Sequence, residues 1–196
     1  MKNLNTNNSA IIITDVQIDY CHPDGKFSRA KEEGGFGIDI SNLDKTAHRI
    51  WEFIGRWKSH VEVVLLCNEE VKPQLAMRWT RWHEFHPAIN SDGCKIIQKF
   101  DRNAFAAGLW QKSELEEYLS STNKTQLLHG GFLLSRCVYA TLSGWRQIWY
   151  DNTLITDLTG NPPAKQDEAD MVMRILWWHQ EAHFITSDEV CFTKRK

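Results

Sequence analysis

Short apolar runs alternate along this chain with segments whose apolar residues recur at helical spacing. Ala10-Ile-Ile-Ile-Thr-Asp-Val16 has strand length, and a loop carrying Pro23, Gly25, Gly34, Gly35 and Gly37 follows it. A helix is expected from about Ser41 to Ser59, with Ile50, Ile54 and Trp57 on one face, and then a strand at Val61–Cys67. Helix around Gln74 to Trp82 leads to a strand at Lys95–Gln98, and a helix over Leu109–Leu119 precedes a strand at Thr125–His129 that Gly130-Gly131 ends. A helix beginning at Ser135, a strand at Thr153–Asp157, a helix over about Ala164–Glu181 and a strand at His183–Thr186 complete the pattern. Strands that are apolar throughout are buried on both faces. The pattern therefore predicts an α/β fold, a three-layer αβα sandwich around a mostly parallel, doubly wound sheet of six strands. Ligands in such sheets bind beyond the carboxyl ends of the strands, where the strand order reverses.

Composition narrows the function classes. The 196 residues suit one domain, 1–196, with a sizeable core, and no low-complexity stretch divides them. Lys and Arg number 23 against 25 Asp and Glu, a formal charge of −2, with no block of like charge. Neither a nucleic-acid nor a membrane partner is expected. Residues 1–10 are polar and the apolar run after them is far too short for a membrane span, so a cytoplasmic location is expected. Five cysteines without CxxC spacing indicate neither a disulfide framework nor a thiolate metal site. Nine tryptophans are expected mostly in the core, yet the neighbours Trp177 and Trp178 cannot both face one buried stripe. A surplus aromatic of that kind suggests a homo-oligomer.

Three side chains carry candidate chemistry. Cys137 falls in the first turn of the helix after Gly130-Gly131, where free N–H groups and the helix dipole favour a thiolate. Asp15 is a carboxylate inside an apolar strand, and Lys99 directly follows Lys95-Ile-Ile-Gln98. Taken singly they read as a small hydrophobe, a turn carboxylate and a surface lysine. A parallel sheet, however, gathers all three strand ends on one rim, where a base, a cation and a thiol meet.

Three stretches, Ile11-Ile-Ile-Thr-Asp-Val-Gln-Ile-Asp-Tyr20, Lys99-Phe-Asp-Arg-Asn-Ala-Phe105 and Gly131-Phe-Leu-Leu-Ser-Arg-Cys-Val-Tyr-Ala-Thr141, resemble in order and spacing the signature blocks of the isochorismatase-like cysteine hydrolases. That superfamily includes nicotinamidases and N-carbamoylsarcosine amidase. The resemblance implies a triad of Asp15, Lys99 and Cys137. It also implies a non-proline cis peptide at Phe132–Leu133, with an oxyanion hole made by the backbone N–H groups of Leu133 and Cys137. The activity it implies is hydrolysis of a C–N bond in a small amide or carbamoyl compound through a thioester on Cys137.

Two departures from the family pattern narrow this expectation. Nicotinamidases hold a divalent metal through an Asp-x-His pair after the second strand, where this chain has Asn68-Glu-Glu70; the usual Asn of the first block is Ile18. Glu70, His83 and His86 are the residues left to build such a site, and the reading is of a metal-independent enzyme without a cofactor. Candidate substrate contacts are Gln17, Tyr20, Phe105, Trp79 and Trp82, with Arg102 or Arg136 for a carboxylate. The alternatives are an isochorismatase-type vinyl ether hydrolase, against which Cys137 counts, and a binding or scaffold protein that keeps the fold.

Overall fold

The computed structural model describes residues 2–69, 81–107, 111–143 and 147–193, apart from the side chains of residues 2, 3, 82 and 148. In chain order its strands and α-helices are β1 (Lys2–Asn5), β2 (Ser9–Thr14), α1 (Ile18–Cys21), α2 (Ser41–Trp57), β3 (Glu62–Asn68), β4 (Lys95–Lys99), α3 (Glu114–Ser121), β5 (Gln126–Phe132), α4 (Tyr139–Leu142), β6 (Asp151–Gly160), α5 (Gln166–Trp178), β7 (His183–Ile185) and β8 (Val190–Thr193). Six strands form one parallel sheet in the order β4-β3-β2-β5-β6-β7. The chain builds outward from β2 to β4, then crosses back to lay β5 on the other side of β2. The strand order thus reverses between β2 and β5.

Alternation along β2 explains the layering. Ile11 and Ile13 pack on Leu43, Ala47, Ile50, Phe53 and Ile54 of α2, whereas Ala10 and Ile12 pack with Leu115 and Leu119 of α3. Farther along the sheet, Leu154 of β6 meets Leu142 of α4 and Ala169, Val172 and Leu176 of α5. All six residues of β2 are buried, as a central strand covered on both faces requires.

Several boundaries differ from the pattern reading. Helix α3 begins only at Glu114, because Ser113 caps it by accepting from the Glu116 N–H at 3.1 Å. Strand β5 runs through Gly130-Gly131 instead of ending there, and β6 continues to Gly160. Gly131 is needed inside the strand: its φ is +108°, and a Cβ would lie 2.1 Å from the Thr14 carbonyl oxygen of β2. Strands β1 and β8, unforeseen because each is only four residues long, form a separate parallel pair with Lys2 opposite Val190 and Asn5 opposite Thr193.

The helix expected over Gln74–Trp82 lies largely outside the described residues; Arg81–His83 form a single 3-10 turn. The tryptophans are not core residues where described. Trp51 and Trp57 lie half-buried against the core, while Trp149, Trp177 and Trp178 are 75%, 68% and 76% exposed. Among the described residues no helix is long and apolar enough to cross a membrane.

Candidate active site

Three strand ends on one rim of the sheet bring the chemistry together. Asp15 follows β2 with φ of +53°, a left-handed conformation that costs an ordinary residue about 1–2 kcal/mol and that Asp tolerates better than most. Its N–H donates to the Leu66 carbonyl of β3 at 3.0 Å, which holds the turn in place. Lys99 is the last residue of β4, and its Nζ lies 2.8 Å from Asp15 Oδ2 with both side chains buried. Nζ also donates to the Asp101 carbonyl at 3.2 Å.

Cys137 stands in a five-residue π-helical turn, Leu134–Val138, that leads from β5 into α4. The Phe132–Leu133 peptide is cis. A residue missed in the sequence, Asn161 at the end of β6, pins this turn. Its Oδ1 accepts from the Ser135 N–H at 3.1 Å, and its Nδ2 donates to Ser135 Oγ at 2.7 Å and to the Lys165 carbonyl at 3.0 Å. Asn161 is fully buried, so these bonds fix the thiol against the loop that enters α5.

The Cys137 thiol lies close enough to both Asp15 and Lys99 to feel the charge of each. Burial raises the pKa of Cys137 well above the ordinary thiol value, the Asp15 charge adds to the rise, and the attraction of Lys99 does not offset them. This corrects the expectation of a thiolate stabilised by a helix end: one short turn exerts little dipole, and desolvation beside a carboxylate wins. Burial likewise raises Asp15, against the opposing pull of Lys99. Lys99 is itself raised, since the attraction of Asp15 and Cys137 overcomes a large desolvation penalty in the other direction. The resting arrangement is a neutral thiol beside a carboxylate that is a stronger base than one in water.

These groups open onto a cavity of about 220 Å³. Asp15 and Cys137 lie in its wall together with apolar Phe27, Ile38, Phe132 and Leu133, while Arg102, Arg136 and Lys165 supply its charge. Tyr20 lines it as expected and accepts from Asn68 Nδ2 at 2.9 Å; Asn68 lines it too. Two other expected contacts do not line it. Gln17 is buried and serves as a clip: its Oε1 accepts from the Asn68 N–H at 2.8 Å, and its Nε2 donates to the carbonyls of Asn68 and His83 at 3.1 and 2.9 Å. Phe105 is a core residue on the α3 side, tilted against Tyr150. Trp79 and the side chain of Trp82 lie outside the described residues.

The metal candidates divide in the same way. Glu70 is outside the described residues. His86 belongs with Asp44 and His48 of α2, whose ligand atoms lie within 4.8 Å of one another. The Ala88 N–H donates to His86 Nδ1 at 3.1 Å, so the ring proton sits on Nε2 and donates to Asp44 Oδ1 at 3.0 Å. Burial lowers the His86 pKa despite that carboxylate. His86 is already hydrogen-bonded on both ring nitrogens, and a metal on Nε2 would have to displace its proton and sever the Ala88 bond.

Comparison with solved structures agrees with this architecture. PnC1 from L. infantum, determined in complex with nicotinate, has a TM-score of 0.78 at 15% identity, covering 98% of this chain and 99% of that one. A nicotinamidase/pyrazinamidase of Acinetobacter baumanii has a TM-score of 0.70 at 20% identity, covering 94% and 99%. N-carbamoylsarcosine amidase from Thermoplasma acidophilum has a TM-score of 0.70 at 16% identity, covering 93% and 98%. No curated protein matches the chain. At these identities the likeness shows the fold. The isochorismatase domain model, by contrast, matches the sequence itself over residues 9–189, nearly the whole of the described fold, and the chain belongs to the isochorismatase family of hydrolases.

Proposed function

We propose that this protein is a cysteine amidohydrolase that cleaves the C–N bond of a small amide or carbamoyl compound without a metal. The observation that carries this reading is the buried Lys99–Asp15 ion pair at 2.8 Å beside the Cys137 thiol, with Asp15 and Cys137 both in the wall of one cavity. Asp15, made more basic by burial, takes the thiol proton as sulfur attacks the carbonyl carbon. The backbone N–H groups of Leu133 and Cys137 receive the negative oxygen. Collapse of the tetrahedral species breaks the C–N bond, and Asp15 returns the proton to the departing ammonia or amine. Water, deprotonated by Asp15, then attacks the thioester, releasing the acid or carbamate and restoring the thiol. Lys99 keeps Asp15 anionic between proton transfers.

Asn68-Glu-Glu70 in place of an Asp-x-His pair, and the satisfied Asp44–His86 bond, support a mechanism in which substrate is held by the cavity itself. The test is intact-mass detection of an acyl adduct on Cys137 after brief incubation with a panel of small amides, ureas and carbamates. An adduct absent from Cys137→Ala, with loss of turnover in that variant, is expected. Undiminished hydrolysis by Cys137→Ala would overturn the mechanism.

A further inference from the structure

The charges at the cavity mouth are unbalanced, and their balance bears on the substrate. Arg102, Arg136 and Lys165 all line the cavity that contains Cys137. Lys165 Nζ lies 2.8 Å from Glu168 Oε1, and Arg136 Nε stands 3.9 Å from Oε2 of the same carboxylate, so one negative charge serves two cations. Glu168 is held further by Ser135 Oγ at 3.1 Å, and its hydrogen bonds to Lys165 and Ser135 depress its pKa. Arg102, in the loop after β4, makes no ion pair among the described residues. Lys99, deeper in, is neutralised by Asp15. The mouth therefore keeps an excess of two positive charges in a chain whose formal charge is −2.

Apolar side chains make up much of the remaining wall. Phe27, Ile38, Phe132, Leu133 and Pro162 offer no anion to compete for the two guanidinium groups. Their planar forks suit a carboxylate better than a neutral carbonyl. We infer that the substrate is an anionic amide, a small C–N compound bearing a carboxylate that Arg102 and Arg136 hold while its amide carbon faces Cys137. This rests on the cysteine-hydrolase reading and adds the charge of the ligand. It also assigns Arg136 a place beside its neighbour Cys137: the residue before the nucleophile orients the group the nucleophile attacks.

Alkylation of Cys137 by a matched pair of reagents tests this without knowledge of the substrate. Iodoacetate and iodoacetamide carry the same electrophile and differ in charge. Rates are read by peptide mass at neutral pH, and their ratio is normalised to that of 2-mercaptoethanol in the same buffer. The expected ratio at Cys137 is about tenfold or more in favour of iodoacetate, falling as salt is raised and falling again in the double variant Arg102→Gln/Arg136→Gln. A ratio equal to that of the free thiol, or one the double variant leaves unchanged, overturns the anionic-substrate inference while leaving the nucleophile intact. Failure of Cys137 to react with either reagent removes the nucleophile reading, and this inference with it.

Discussion

Lys99 Nζ and Asp15 Oδ2 meet at 2.8 Å with both side chains almost fully buried, although β3 lies between the strands they end, β4 and β2. Two charges withdrawn from water at this depth are expensive unless each satisfies the other. Here the pair also bears on a proton, since the charges of both partners act on the Cys137 thiol.

Replacing Lys99 by Met should expose that dependence. Asp15 then lies buried without a cation, and the cost at pH 8 is expected to be about 3–5 kcal/mol of stability. Because the folded carboxyl would bind its proton more tightly than the unfolded one, stability should fall as pH rises, making the variant more stable at pH 5 than at pH 8. Urea unfolding at the two pH values checks this, and equal midpoints would show that the charge is not isolated.

Activity should depend on the protonation of Asp15 rather than of Cys137. Burial raises Asp15 above its ordinary value of 3.8, so kcat/KM is expected to rise with pH along a limb displaced upward from the usual carboxylate range. The thiol, also raised by burial and by Asp15, stays protonated through neutral pH. A rise centred near pH 8.5–9, where a thiol in water titrates, would contradict this assignment.

His129 predicts a separate pH effect on stability. It is fully buried in β5, hydrogen-bonded to Asn152 Oδ1 at 3.0 Å, and burial lowers its pKa from 6.5 to about 4. The unfolded chain binds a proton below pH 6.5 that the folded chain refuses. The stability is therefore intact above pH 6.5 and is lost as pH falls toward 4, by on the order of 3 kcal/mol. His129→Gln should flatten the dependence of ΔG on pH over that interval, whatever its effect at pH 8.

Gly131→Ala should be among the most damaging single-methyl changes. The added Cβ meets backbone atoms of Thr14, which cannot swing aside, at a φ that alanine disfavours. A loss beyond about 4 kcal/mol, or insoluble expression, is expected. A soluble variant with an unchanged melting curve would show that β2 and β5 can separate at that point.

The central strands were legible because a sheet covered on both faces leaves little choice: Ile11-Ile-Ile13 and Val63-Val-Leu-Leu66 can only be interior. The three strand-end residues followed from the same parallel geometry. What escaped depended on neighbours that spacing does not reveal. Gly131 reads as a terminator until Thr14 is seen beside it, and a thiol after a glycine pair reads as activated until the Asp15 carboxylate is placed against it. Gln17 looked like a pocket residue from its place in the first signature block, but its amide is consumed by three backbone groups. The late start of α3 did have a visible signal in Ser113-Glu-Leu-Glu116, a serine three residues before a glutamate. Lys165 and Asn161 were within reach too, since both lie just beyond the carboxyl end of β6, on the rim where the ligand was expected.

The pairing of β1 with β8 sets an order of events. Lys2 sits opposite Val190, so these strands join segments from opposite ends of the described chain, and almost every other element must be in place before they find each other. With four residues each they bring only Leu4, Val190 and Phe192 to the core to repay the closure of so long a loop. The two-stranded sheet is accordingly the piece that completes last and opens first, and its amides should exchange with solvent while those of β2 and β5 stay protected.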